Sequence, residues 1–262
     1  MVLSAVVAAV PVAALGADNG AAARDDLEFT LSAGAGVGPD YEGSDDYEPA
    51  PLLSLRVGNL YHPNTYIGVR GLGFESNLLP HKNFELGIVA DYLSDYDGVD
   101  DDAVSELERP AKAVHVGVLA GFEFKDERRI QYAIELEATY DVLHGNGGLI
   151  TPQASIRVPL AKNAFLNGSI AASWASDDYM SNRFGISAAD AARSGLQPYD
   201  ADAGFKDVEF GLGATYAFSK HWSVSTSGRY QRLLSDAADS PIVDDRGSED
   251  AFRFGVLVNY RF

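Results

Sequence analysis

Apolar and polar side chains alternate with a period of two through most of this chain, the pattern of strands with one apolar and one polar face. In residues 251–262, Phe252, Phe254, Val256, Val258, Tyr260 and Phe262 share one face, and Arg253, Gly255, Leu257, Asn259 and Arg261 share the other. The same alternation places Leu27 to Val37 on a first strand and Phe84 to Tyr92, Val114 to Phe124 and Ile130 to Tyr140 on later ones. It continues through Ile150 to Leu160, Leu166 to Trp174, Val208 to Phe218 and Trp222 to Tyr230. Between 51 and 80 the pattern is broken by Gly71 and Gly73, and Thr65 to Leu79 divides there into two short strands.

The connections alternate in length. Turns near 125, 161 and 219 are short, whereas those near 40, 94, 177 and 235 are long and acidic. The polar stretch 39–51 reads as a loop, as does 94–109. Short turns on one side and long loops on the other predict an antiparallel transmembrane β-barrel of the outer membrane, with short periplasmic turns and long acidic extracellular loops. An even count requires one more strand than the eleven clear ones, giving twelve, with ten as the fallback if part of 51–80 lies outside the sheet. In such a barrel the first and last strands pair across the seam, and outer-membrane lipid and lipopolysaccharide surround the wall.

A soluble sandwich or propeller fits less well. No repeat recurs at fixed spacing, and the strands carry aromatics at their ends and charges on the second face. Glu135, Glu137, Arg157, Glu209, Arg229, Arg253 and Arg261 all fall there, and in a narrow lumen they are expected to pair as a charge ladder. Asp141 and Asp207 share that face.

Composition narrows the partners. The net charge of −18 argues against nucleic acid, and the absence of cysteine removes disulfides and thiolate metal sites. A mean hydropathy of −0.09 suits strands that are apolar at every second position. Residues 1–17 carry no charge and read as a secretory signal, with cleavage as late as 23, leaving a single barrel domain over 24–262.

Candidate chemistry is sparse. Of the five histidines only His115 lies mid-strand and faces the lumen, with Ser155 or Ser169 as nucleophile and Glu135 or Asp91 as orienter. The spacing singles out no trio, and catalysis is not expected. Asp95, Asp97, Asp100, Asp101 and Asp102 offer oxygen ligands without the glycine and terminal glutamate of a calcium loop, so neither metal nor cofactor is expected. The 177–203 connection holds Tyr179, Arg183, Phe184, Gly185 and Tyr199, more apolar surface than a solvated loop needs. It is expected to fold inward as a constriction, with a partner surface as the alternative. Within it, Ser187 N-caps a short helix that ends before Gly195.

Three segments carry a family resemblance. They are Gly38-Pro39-Asp40-Tyr41-Glu42-Gly43-Ser44 with Tyr47 and Pro51; Tyr179 with 183–187, 194–199 and Gly204; and 236–243 with Gly247, Ser248 and Tyr260-Arg261-Phe262. In this order and spacing they resemble the MltA-interacting protein family of outer-membrane proteins, also called MipA/OmpV. The resemblance implies an outer-membrane barrel without catalytic residues. It also implies a scaffold that bridges a membrane-bound lytic transglycosylase and a bifunctional penicillin-binding protein. Other members look like adhesins, envelope-stress proteins or determinants of the response to cationic antibiotics. The narrow lumen alone suggests a passive channel for small solutes. Tyr260 and the terminal Phe262 resemble the signal read by the barrel-assembly machinery.

Overall fold

The computed structural model describes residues 26–262 except Asp97 and Arg109. The signal-like segment therefore lies outside the described residues, as does Asp97 of the acidic loop. Twelve strands form: β1 (Glu28–Pro39), β2 (Tyr47–Gly58), β3 (Tyr66–Arg70), β4 (Gly73–Asn77), β5 (Phe84–Leu93) and β6 (Ala113–Lys125). They continue with β7 (Gln131–Asp141), β8 (Gly148–Ala161), β9 (Ala164–Ala175), β10 (Gly204–Ala217), β11 (Trp222–Leu233) and β12 (Asp250–Arg261). Each pairs antiparallel with its sequence neighbours, and β1 closes on β12 with Leu31 opposite Tyr260 and Val37 opposite Phe254. The expected strand count, the division within 65–79 and the seam are all found.

The wall follows the alternation. Side chains such as Leu212, 68% exposed, and Ile134, 64% exposed, form an outward apolar band. Aromatic rings bound that band. At the short-turn end Phe124 stacks on Tyr132 at 4.9 Å, and Tyr260 packs against both Trp222 and Phe262 at 4.7 Å. At the long-loop end Tyr230 lies 5.1 Å from Phe252.

Two strands depart from the sequence expectation. β2 starts at Tyr47, inside the stretch read as a loop, and so contains Pro49 and Pro51. Proline is tolerated where a strand has a free edge. β2 has one there, because β3 pairs only with Ser54 to Gly58. β10 begins at Gly204, and a register shift between Phe205 and Asp207 forms a bulge.

The long loops are folded. Among the described residues they hold five helices: α1 (Asp102–Ser105), α2 (Asp177–Arg183), α3 (Ala188–Ser194), α4 (Ser235–Ala238) and α5 (Pro241–Asp244). The α3 helix is the expected one. Ser187 accepts a hydrogen bond from the Asp190 N–H at 3.1 Å, and Gly195 closes the helix at φ +77°, a backbone angle that suits glycine. The other four do not stand out in the sequence, being four to seven residues long with no full apolar stripe.

Candidate functional site: a lumen beneath a sealed dome

Four long loops interlock over one end of the barrel. Two apolar clusters form their interior. One holds Tyr179, Met180, Phe184, Leu233 and Val243, and the other Tyr41, Tyr96, Val104, Ile186, Leu196 and Ile242. Polar links cross between loops. The Tyr96 hydroxyl donates to the Arg183 carbonyl at 2.8 Å, the Arg183 guanidinium donates to the Ser94 carbonyl at 2.8 Å, and the Ser240 hydroxyl donates to the Phe184 carbonyl at 2.7 Å. The Ser248 N–H donates to the Gly43 carbonyl at 2.8 Å; a Cβ on Gly247 would lie 1.9 Å from that oxygen, so only glycine allows the two loops to meet.

The residues picked out in the 177–203 connection sit inside this dome. Tyr179, Arg183 and Phe184 are buried, and Gly185 donates its N–H to Ser181 at the end of α2. Tyr199 is half-buried and its hydroxyl donates to the Asp236 carbonyl at 3.0 Å. The buried members offer no exposed face to a partner.

Beneath the dome lies a buried ion cluster. Lys206 donates to Glu42 and, at 2.6 Å, to Asp207; Gln231 donates to Asp207 at 2.6 Å and to Glu42 at 3.0 Å. Arg253 in turn donates to the Gln231 carbonyl oxygen at 2.7 Å. Sequence alternation misses Lys206 because the β10 bulge turns both Lys206 and Asp207 inward.

Burial alone would raise the Glu42 pKa, but the Lys206 ammonium and the Arg183 guanidinium hold it down to about 2. A carboxylate with a folded-state pKa below its unfolded value stabilises the fold above the unfolded pKa, about 4.5 for Glu, and loses that contribution as pH falls towards about 2. The dome is therefore expected to resist pepsin at about pH 4 and to open progressively towards about pH 2. Equal resistance at both would contradict a role for the Glu42–Lys206 pair in holding the dome.

Other lumen charges meet in smaller groups. Arg229 meets Glu209 at 3.1 Å, and Arg261 meets Glu28 at 3.7 Å. Arg229 lies directly opposite Arg253, not opposite a carboxylate. Glu135 accepts from Gln153 at 3.0 Å, and Arg157 stacks over Phe165 at 4.3 Å. The wall formed by β5 to β7 is acidic instead, with Glu85, Asp91, Glu123, Glu135 and Glu137. Glu85 and Glu135 both lie opposite Gly121 and fill the space its missing side chain leaves. Arg56 and Arg70 reach Glu75, each at 3.5 Å, a triad hidden in the least regular part of the sequence. A cavity of about 330 Å³ runs from the short turns at Asn59, Asn64 and Lys125 up to Arg229 and Arg253.

The hydrolase constellation is not assembled. Asp91 lies opposite His115, whose ring meets Thr139 at 3.5 Å. Along β7, however, His115 is opposite Asp141 and Ser155 opposite Ala133, eight residues apart. Ser169 pairs with Ser155 and is as far away. The acidic loop is used structurally: Asp95 meets Lys112 at 3.3 Å, Asp101 caps α1 and pairs with Arg246 at 2.6 Å, and the Asp100 N–H donates to Asp40 at 3.0 Å.

A closed antiparallel barrel with an apolar outer band, aromatic belts and a charged lumen is an outer-membrane β-barrel. The solved structure of NanC porin has this fold, with a TM-score of 0.51 at 8% identity, covering 88% of this chain and 98% of that one. The family described as MltA-interacting protein MipA matches residues 31–262, and the chain belongs to it. The MltA-interacting protein of Escherichia coli (strain K12) is 25% identical over 230 residues, covering 87% of this chain and 89% of that protein. That of Shigella flexneri matches to the same extent. In barrels of this class short turns face the periplasm and long loops the outside.

Proposed function

We propose that this outer-membrane barrel is a non-enzymatic docking protein for murein enzymes, holding a lytic transglycosylase, and with it a penicillin-binding protein, at the periplasmic face. The observation that carries the reading is the similarity, over 87% of the chain, to proteins named for interaction with MltA. The dome supports it, since an occluded outer mouth suits a docking platform better than an open pore. Short periplasmic turns leave little surface, but two of them are joined here. Tyr61 donates to the Leu78 carbonyl, and Asn64 donates to the His81 carbonyl at 2.7 Å. The resulting ledge presents Tyr61, 64% exposed, beside Leu78.

The test is capture of a purified membrane-bound lytic transglycosylase by the reconstituted barrel. Enrichment over an unrelated barrel, lost on Tyr61→Asp, is expected; capture no greater than by that barrel would contradict the reading. A narrow solute channel is the second reading, favoured by the cavity of about 330 Å³ with Arg56, Glu85, Glu135 and Arg229 in its lining.

A further inference from the structure

The barrel wall is incomplete in its outer half. A transmembrane strand needs about 9–11 residues, and β3 and β4 have five each. Their hairpin turns at Gly71 and Leu72, level with Leu53 in the middle of β2. Above it, residues 47–52 of β2 pair with β1 only, and β5 passes its last β4 partner at Asp91. At the usual strand spacing, two missing strands leave a notch roughly 14 Å wide, running about 20 Å along β2.

The sequence at the notch is adapted to an open edge. The Leu53 carbonyl accepts from the Gly71 N–H at 2.8 Å, so Leu53 turns its backbone groups towards the hairpin. By the alternation of a strand, residues 51, 49 and 47 face the same way. Two of these are Pro51 and Pro49, which have no N–H to leave unpaired in hydrocarbon. They also prevent a further strand from adding to this edge. The rim faces lipid: Leu53 is 61% exposed and Leu72 49%.

Apolar side chains line the lumen on both sides of the notch. Leu52 on one edge is buried beside Gly36, and Leu93 on the other packs against the dome's apolar cluster. Both turn apolar side chains inward, as Val89 and Leu257 also do. Above them the long loops interlock over the barrel end.

We propose that the notch between β2 and β5 is a lateral portal that admits an acyl chain of an outer-leaflet lipid into the lumen beneath the dome. By the alternation of the strand, the carbonyls of its proline edge point away from β1, which favours a chain carrying hydroxyl or amide donors near its head. This route is independent of any periplasmic docking.

The chain has no cysteine, so single-cysteine variants can each carry one fluorophore. Leu52→Cys reports the lumen side of the notch and Leu53→Cys the lipid side. Leu257→Cys faces the lumen in an unbroken wall, in the same row as Leu52 across Gly34. Each variant, checked for folding by heat-modifiable gel migration, is reconstituted into vesicles with acyl-brominated phospholipid. The label at Leu52 is expected to be quenched with rising bromolipid as at Leu53, while that at Leu257 keeps its intensity. No quenching at Leu52, or equal quenching at Leu257, would overturn the portal. Ala50→Cys, the next inward position on β2, serves if Leu52→Cys does not fold.

Discussion

Replacing Lys206 with methionine is expected to release the dome from the barrel. The ammonium sits between Glu42 and Asp207, and the three side chains are 5%, 14% and 2% exposed. Without it, the two carboxylates keep the Gln231 amide between them. Breaking a buried pair from one side costs about 3–5 kcal/mol, most of it the price of the charge left behind. Because Glu42 belongs to the β1–β2 loop and Lys206 to the wall, the loss is concentrated on the dome. The temperature at which the barrel loses its compact gel migration should fall. Adding Glu42→Gln to Lys206→Met should recover part of the loss, because it removes one stranded charge; strictly additive losses would show that the two side chains do not act as a pair.

Phe184→Ala is expected to weaken the dome from within by about 3–5 kcal/mol, the usual cost of truncating a buried phenylalanine. Phe184 is fully buried in one cluster with Met180 and Val243, and its carbonyl accepts from the Ser240 hydroxyl. The cavity would open where the 177–203 and 234–249 loops meet. Protease cleavage within those loops, with the wall still intact on a gel, checks this. A variant as resistant as the parent would mean that the loops are held by their strands alone.

These two residues differ in how far the sequence reveals them. Phe184 stands out as an aromatic in a long polar connection, and inward packing follows from its chemistry. Lys206 does not stand out, because a period of two assigns it to the lipid face until the bulge is known. The same rule explains the rest. Period-two alternation is a local property, so the wall, the twelve strands and the β1–β12 seam can be read from residues such as Phe254 and Val37. The α3 helix is legible because Ser187 and Gly195 are local caps. The Arg56–Glu75–Arg70 triad and the Lys206 cluster depend on register between strands distant in the chain, which alternation does not contain. The proline-bearing half of β2 reads as a loop because its defining feature is a neighbour that stops short.

The long loops interlock over the lumen and are expected to hold its outer mouth shut. Planar-bilayer recording of the purified barrel tests it most directly. The parent protein is expected to give no stable open-channel steps, and Lys206→Met to give them. Steady open steps from the parent, unchanged by Lys206→Met, would contradict the dome.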